Sequence, residues 1–91
     1  GFGVITDHHY VLRLRMSSEA NAAIQALLPA LCRDYTLVSV DPLDRAEVGN
    51  DYIYELRLKR SVAYETVLGQ IAGLDHEIAV SLLVGAGSVD A

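Results

Sequence analysis

The chain has 91 residues, of which 52% are hydrophobic and 21% are charged, and its formal net charge is −5. This length and hydrophobic content indicate one globular domain with a real core and exclude a disordered chain. The acidic balance disfavours a general affinity for nucleic acid or anionic membranes. The single cysteine, Cys32, excludes an internal disulfide and a zinc site made from cysteine pairs.

The first predicted elements are a strand and a capped helix, which follow a leader of residues 1–9. From Tyr10 to Met16 apolar and polar side chains alternate, which is typical of a strand with one buried face. Ser17 or Ser18 is suited to cap the next helix, and Pro29 is expected to kink or end its last turn. The apolar side chains of this helix recur at helical spacing, as Ala20, Ala23, Ile24, Leu27, Leu28 and Leu31.

Two further strands are predicted, separated by a loop. Tyr35 to Val40 is rich in β-forming residues, and Tyr52 to Lys59 alternates clearly between apolar and polar residues. Arg33 and Asp34 are expected to form a short connection before the first of these strands. The loop begins at Asp41-Pro42 and ends with turn residues at Gly49-Asn50. This pattern predicts a β-hairpin with a moderately long loop.

The last part of the chain predicts a second helix and a fourth strand. Ser61 is the expected cap of the helix, and Gly73 is its expected end. Gly69 lies inside the helix, where close packing against a neighbour would explain a glycine. The buried stripe is predicted from Tyr64, Val67, Leu68 and Ile71. Ile78 to Val84 is a nearly continuous apolar run that predicts a strand, followed by a tail of residues 85–91.

An internal repeat organises these elements. Leu12-Arg13-Leu14-Arg15 recurs 44 residues later as Leu56-Arg57-Leu58-Lys59, and Ala23, Ile24, Leu27 and Val40 match Val67, Leu68, Ile71 and Val84 at the same offset. The order is therefore β-α-β-β-α-β. We expect an α+β, ferredoxin-like domain over residues 10–84, with a four-stranded antiparallel sheet, both helices on one face, and the two repeated strands at its centre.

The repeated strands also define the candidate site. The leucines and tyrosines would face the helices, while Arg13, Arg15, Arg57 and Lys59 would share the open face with Glu55. Three interpretations remain: a solvated face, a sheet-to-sheet interface between subunits, or an anion-binding surface. Tyr52 and Tyr54 are expected to be buried, which leaves no exposed aromatics for base stacking, so nucleic-acid binding is disfavoured.

No catalytic, cofactor-binding or metal-ligating residue is predicted, and the chain is expected not to be an enzyme. A metal site made from His8 or His9 with Asp75, His76 and Glu77 is conceivable only if the first and fourth strands are neighbours, and solvated side chains are the preferred interpretation. Cys32 is expected to be a buried thiol rather than a nucleophile.

The stretch from Tyr10 to Val84, with Leu37-Val38-Ser39-Val40 and Tyr54-Glu55-Leu56-Arg57-Leu58-Lys59, resembles two related groups. One is the ACT-like class of regulatory domains, many of which bind amino acids at dimer interfaces. Its usual glycine after the first strand is replaced here by Met16-Ser17-Ser18-Glu19. The other, which it resembles more closely, is the soluble C-terminal domain of bacterial membrane proteins of the MgtC-like type, with a similar domain in an uncharacterised family encoded beside polyphosphate-polymerase-like proteins.

The resemblance implies a regulatory or assembly role and no specific ligand residues. It implies a homodimer, located in the cytoplasm and tethered to the inner membrane through a region before Gly1, which would also explain the absent initiator Met. The leading hypothesis is a non-enzymatic regulatory or assembly domain that dimerises. The alternative is a domain that senses a small ligand, either an anion or a metabolite.

Overall fold

Four strands and two helices follow one another in the predicted order. The computed structural model describes residues 9–44 and 48–85. The elements are β1 (His9–Met16), α1 (Ser18–Leu31), β2 (Cys32–Pro42), β3 (Asn50–Leu58), α2 (Tyr64–Leu74) and β4 (Ala79–Val84). The strands form one antiparallel sheet in the order β2-β3-β1-β4. The predicted α+β class and β-α-β-β-α-β order are confirmed, and the arrangement is consistent with a ferredoxin-like fold. The leader and tail, apart from His9 and Gly85, lie outside the described residues.

The core lies on one face of the central strand pair. Leu12 is directly opposite Tyr54, and Leu14 is opposite Tyr52, so alternate side chains of β1 and β3 point the same way. These side chains are buried beneath apolar residues of both helices, namely Ile24, Leu28 and Leu31 of α1 and Val67 and Ile71 of α2. Both helices therefore cover the same face. Each fully buried side chain of this size contributes roughly 1.5–3 kcal/mol.

The first helix begins where the serine pattern predicts. The backbone N–H of Ala20 donates to the Ser17 hydroxyl oxygen at 3.2 Å, which satisfies a donor at the start of α1. Glu19 in the first turn also complements the helix dipole. Pro29 lies inside the helix, which ends soon afterwards at Leu31, because proline removes a backbone donor.

The second strand is longer than the sequence predicts. It starts at Cys32, the residue that also terminates α1, so Arg33 and Asp34 belong to β2 and not to a connection. Its pairing with β3 shifts between Cys32 and Asp34 and again between Leu37 and Ser39. Each shift inserts one extra residue, which is the pattern of a β-bulge. These bulges decide which β2 side chains share a face with their β3 partners.

The second helix departs from the prediction at both ends. Ser61 does not cap it, since this residue lies in a turn closed by the Val62 N–H and the Lys59 carbonyl at 2.9 Å. Val62 packs against the core, and α2 begins only after it, with Ala63 as an N-cap that makes no side-chain bond. Gly73 does not end the helix either, because α2 continues to Leu74.

The internal repeat shifts by one residue between its strands and its helices. The repeated leucines of β1 and β3 are 44 residues apart, as predicted. The fully buried helix positions instead correspond at an offset of 43, with Ile24 matching Val67 and Leu28 matching Ile71. The predicted matches of Ala23 with Val67 and Ile24 with Leu68 are therefore wrong. A helix rotates by about 100° per residue, so one residue of shift selects a different buried stripe.

Gly49 allows the β2–β3 connection to approach the end of β1. Its φ is +122°, a region that side chains other than glycine rarely adopt. A Cβ atom here would overlap the carbonyl oxygen of Met16. The Leu43 N–H also donates to the Gly49 carbonyl at 3.3 Å, which closes the connection. Glycine is thus required by both backbone conformation and space.

Neither space nor backbone conformation requires a glycine at position 69, so the predicted close packing of Gly69 against a neighbour is wrong. It lies on the exposed side of α2, and a Cβ atom added there would meet nothing within 4 Å.

Gly69→Ala should therefore stabilise the fold by about 1 kcal/mol, because alanine is the better helix former. Urea denaturation measures this gain. Gly49→Ala is the matched control and should lower the stability; a loss of stability in Gly69→Ala would show that the space above α2 is needed.

Candidate functional site

Three of the four predicted basic residues lie on the open face of the sheet. Arg57 is directly opposite His9, Arg13 is opposite Ile53, and Arg15 is opposite Asp51, so these side chains point away from the helices. Lys59 follows the last residue of β3 and belongs to the turn that leads to α2. The paired strands therefore place three arginines on the candidate face, and Lys59 lies directly after the end of β3.

The second strand adds carboxylates to this face. Asp34 pairs with Arg57 and Asp41 pairs with Asp51, while Thr36 pairs with Glu55. Directly paired residues of antiparallel strands point to the same side. The open face thus carries four acidic side chains, Asp34, Asp41, Asp51 and Glu55, beside its three arginines. It is a mixed surface rather than the basic one that the repeated strands alone indicate.

Arg13 and Asp51 form a bidentate ion pair on this face. The Arg13 Nε donates to Asp51 Oδ1 at 3.0 Å and to Oδ2 at 3.1 Å, and Nη2 donates to Oδ2 at 2.7 Å. The hydrogen bonds from Arg13 lower the pKa of Asp51, and the positive charges of Arg13 and Arg15 lower it further. The same pairing raises the pKa of Arg13. This pair is electrically neutral and does not attract anions as an isolated arginine would.

Arg57 also forms a side-chain hydrogen bond on this face. Its Nε donates to His9 Nε2 at 3.0 Å. Asp34 lies opposite Arg57 on the neighbouring strand, and both residues line a small depression of about 90 Å³.

The metal site considered from the sequence is not assembled when His9 is its histidine. β1 and β4 are indeed neighbours, but they are antiparallel, with Tyr10 opposite Val84 and Arg15 opposite Ala79. His9 therefore lies at the opposite end of β1 from Asp75, His76 and Glu77, about 20 Å away at 3.4 Å per residue. His8 lies outside the described residues. Within residues 9–44 and 48–85, no group of three or more metal-ligating side chains is present.

Arg15 differs from the other two arginines. Its guanidinium forms no hydrogen bond or ion pair with another described side chain. It lines a cavity of about 400 Å³ at the end of the sheet and a second depression of about 260 Å³ on the open face. Neither cavity is apparent from residue spacing, because their walls combine residues that are distant in sequence.

The other unusual surface is β2, which lies at the edge of the sheet. Its exposed apolar side chains are Tyr35, Leu37, Val38 and Val40, with exposed fractions between 38% and 52%. Tyr35, Leu37 and Val40 pair with buried residues of β3 and so point to the helix side, where no helix covers them completely. Sequence reasoning recognised this strand but did not identify it as an exposed edge.

Cys32 is the buried thiol that the sequence predicts. Burial raises its pKa to about 11, although the charge of Lys59 acts in the opposite direction. At neutral pH the group is therefore almost entirely the unreactive thiol.

No protein-family model, curated protein or solved structure matches the chain. Neither helix of residues 9–44 and 48–85 is long and apolar enough to cross a membrane. The open face, the cavity beside Arg15 and the edge of β2 are the candidate sites of this chain.

The ion pair on the open face should make stability depend on pH in a defined way. Because the folded-state pKa of Asp51 is lowered, its contribution is complete above the ordinary aspartate pKa of about 3.9 and is lost as pH falls through the lowered value. Asp51→Asn should lower the urea midpoint at pH 7, and the difference from wild type should vanish in strong acid. Glu55→Gln, which removes an unpaired carboxylate from the same face, should lack this pattern. A difference that persists in acid would contradict the assignment.

The environment of Cys32 can be tested by alkylation. With a thiol pKa near 11 instead of 9.0, the thiolate fraction at pH 8 falls roughly 100-fold. Iodoacetamide should therefore modify the native protein at least about 100 times more slowly than the urea-unfolded chain. Equal rates in the two states would show that the thiol is accessible.

Proposed function

We propose that this chain is a non-enzymatic regulatory or assembly domain that forms a homodimer through the edge of β2. The observation that carries this proposal is the exposed, uncharged stretch from Tyr35 to Val40 at the edge of the sheet. An edge strand presents unpaired backbone N–H and C=O groups, which readily bind another strand. Here the strand also presents apolar side chains that a partner would bury.

The middle of β2 lacks the charged residues and proline that protect many natural edge strands, and the bulge at Val38 is the one protective feature there. Proteins commonly place charged residues or proline on such strands. In β2 these residues occur only towards the ends, as Arg33, Asp34, Asp41 and Pro42. The shift between Leu37 and Ser39 adds Val38, which is 52% exposed, to the middle of the edge. The central part of β2 is therefore suited to contact another subunit.

A second copy is the partner that this surface fits most simply. Two antiparallel β2 strands related by a two-fold axis join the sheets into one of eight strands and keep the helices of both copies on the same side. The helix-side residues Tyr35, Leu37 and Val40 of each copy then meet and lose their exposure to water. Burial of their apolar surface, which contributes about 25 cal/mol of free energy per Å², favours this association.

The opposite edge of the sheet is a competing site. β4 has six residues, and Leu83 and Val84 are 62% and 66% exposed. Pairing of β2 with β4 of another copy is a head-to-tail contact, which leads to a larger ring or to a chain of indefinite length. Pairing of β2 with β2 closes at two subunits, which favours it for a discrete assembly domain.

The proposal includes the class and location that the resemblance implies. An ACT-like domain that dimerises suits a regulatory role, and the soluble part of a bacterial MgtC-like membrane protein would place this dimer in the cytoplasm beside the inner membrane. Dimerisation would then bring two copies of the parent protein together. The four-stranded sheet with two helices supports the domain class, and the edge of β2 supports the assembly role.

Matched lysine substitutions on the two edges test the interface. Val38→Lys should raise the dimer dissociation constant at least about tenfold, because the partner strand would meet a charge with no counterpart. Leu83→Lys introduces the same charge on β4 and should leave the constant unchanged. Sedimentation equilibrium measures both constants, and circular dichroism confirms folding. A wild-type chain that stays monomeric at millimolar concentration would refute the proposal, and loss of the dimer only in Leu83→Lys would move the interface to β4.

A further inference from the structure

The exposed edge strand begins at a basic end of the sheet. Arg33 is exposed near the start of β2. Cys32 pairs with the last residue of β3, so the exposed side chains of Lys59 and Arg60 follow at the same end. Asp34 is the one acidic residue in the first half of the strand. Positive charge therefore predominates where β2 starts.

The same strand finishes at an acidic end of the sheet. Asp41 lies beside Asp51 of β3, and Asp44 is exposed just after the end of β2. Arg13 matches the charge of Asp51 through its ion pair, and the carboxylates of Asp41 and Asp44 are exposed. Two β2 strands related by a two-fold axis run antiparallel, so the basic start of each lies beside the acidic end of the other.

The backbone of β2 limits how two copies can pair. The N–H of Leu43 donates to the Gly49 carbonyl, and antiparallel strands alternate between residues bonded to their neighbour and residues whose N–H and C=O point away from it. Val40 therefore points its N–H and C=O to the free edge. Tyr35 and Leu37 do the same, because their partners belong to the same alternating set of β3 residues. A second β2 strand can bind these residues.

Two registers pair such residues along the whole strand. Val38 is the extra residue of the bulge, so side chains of the same face meet only when the two-fold axis passes next to it. In the first register Tyr35 lies opposite Val40 of the second copy, and Asp34 then lies opposite Asp41 at both ends. Like charges directly opposite each other on paired strands are destabilising, which disfavours this register.

The second register is electrostatically matched. Leu37 lies opposite Val40 of the second copy, and the same alignment places Arg33 opposite Asp44. Two-fold symmetry repeats both contacts. The interface then has an apolar centre and an oppositely charged pair at each end, which is favourable for paired strands.

We infer that two copies of this chain associate in the second register, with Arg33 of each copy paired with Asp44 of the other. This arrangement rests on the proposed dimer through β2 and adds to it the register and the charged residues that recognise the second copy. Because the pairs lie at the two ends of the strand, they orient the copies and select a partner with the complementary charges.

Reversal of the charges at the two paired positions tests this register. Arg33→Glu places two carboxylates together at each end of the dimer, and Asp44→Lys places two cations together. Each variant alone should therefore have a dimer dissociation constant at least about tenfold above wild type, as measured by sedimentation equilibrium. A dimer of one Arg33→Glu chain and one Asp44→Lys chain regains opposite charges at both ends. Its dissociation constant should lie within about twofold of wild type.

Glu77→Lys is the matched control for the mixed dimer. It changes the charge as Asp44→Lys does, but it lies in the turn before β4, at the other edge of the sheet from β2. Fluorescence anisotropy of a labelled Arg33→Glu chain measures its affinity for each of the two lysine variants. Glu77→Lys should bind it at least about threefold more weakly than Asp44→Lys does, because one end of that mixed dimer has like charges.

The outcomes separate the register from the dimer itself. Circular dichroism shows that each variant is folded. Equal affinity of the Arg33→Glu chain for both lysine variants, or wild-type dissociation constants for Arg33→Glu and Asp44→Lys alone, would overturn the register while the dimer through β2 stands. A monomeric wild-type chain would instead refute the proposed dimer, and the inferred pairs with it.

Discussion

The antiparallel pairing of β1 with β3 is the contact on which the rest of the molecule depends. It places Leu12 beside Tyr54 and Leu14 beside Tyr52, and these side chains form the surface on which both helices pack. Because strand side chains alternate with a period of two, the same pairing sends every intervening residue to the open face. A shift of one residue would exchange the core with the charged surface, so the burial of these residues also determines where the arginines lie.

Local patterns in the sequence were sufficient to predict a helix or strand where one face of that element is buried. Alternation in Tyr10–Met16 and helical spacing around Ile24 identify buried faces, because apolar burial is the dominant favourable contribution to folding. The fold class could therefore be predicted from the chain alone. The start of α2 could not be predicted in this way. Val62 packs on the core and makes the chain turn before α2 begins, so Ser61 does not cap the helix.

The candidate site was harder to predict, because it depends on the relation between elements. The sequence places Arg13, Arg15 and Arg57 on one face, but it does not show that Asp34 and Asp41 join them. Their placement follows from two shifts in the pairing of β2, which no periodic pattern reveals. Likewise, the cavity beside Arg15 exists only because the antiparallel β4 brings the Asp75–Glu77 turn to that end of β1.

The direct junction between α1 and β2 has a mechanical consequence. Cys32 terminates the helix and starts the strand, so no linker residue absorbs a displacement between them. The N-terminal end of α1 reaches the cavity through Ser17 and Ala20, and its C-terminal end leads directly into the exposed edge strand. The helix has 14 residues and is about 21 Å long. It therefore connects one end of the sheet directly to the start of β2, the edge strand.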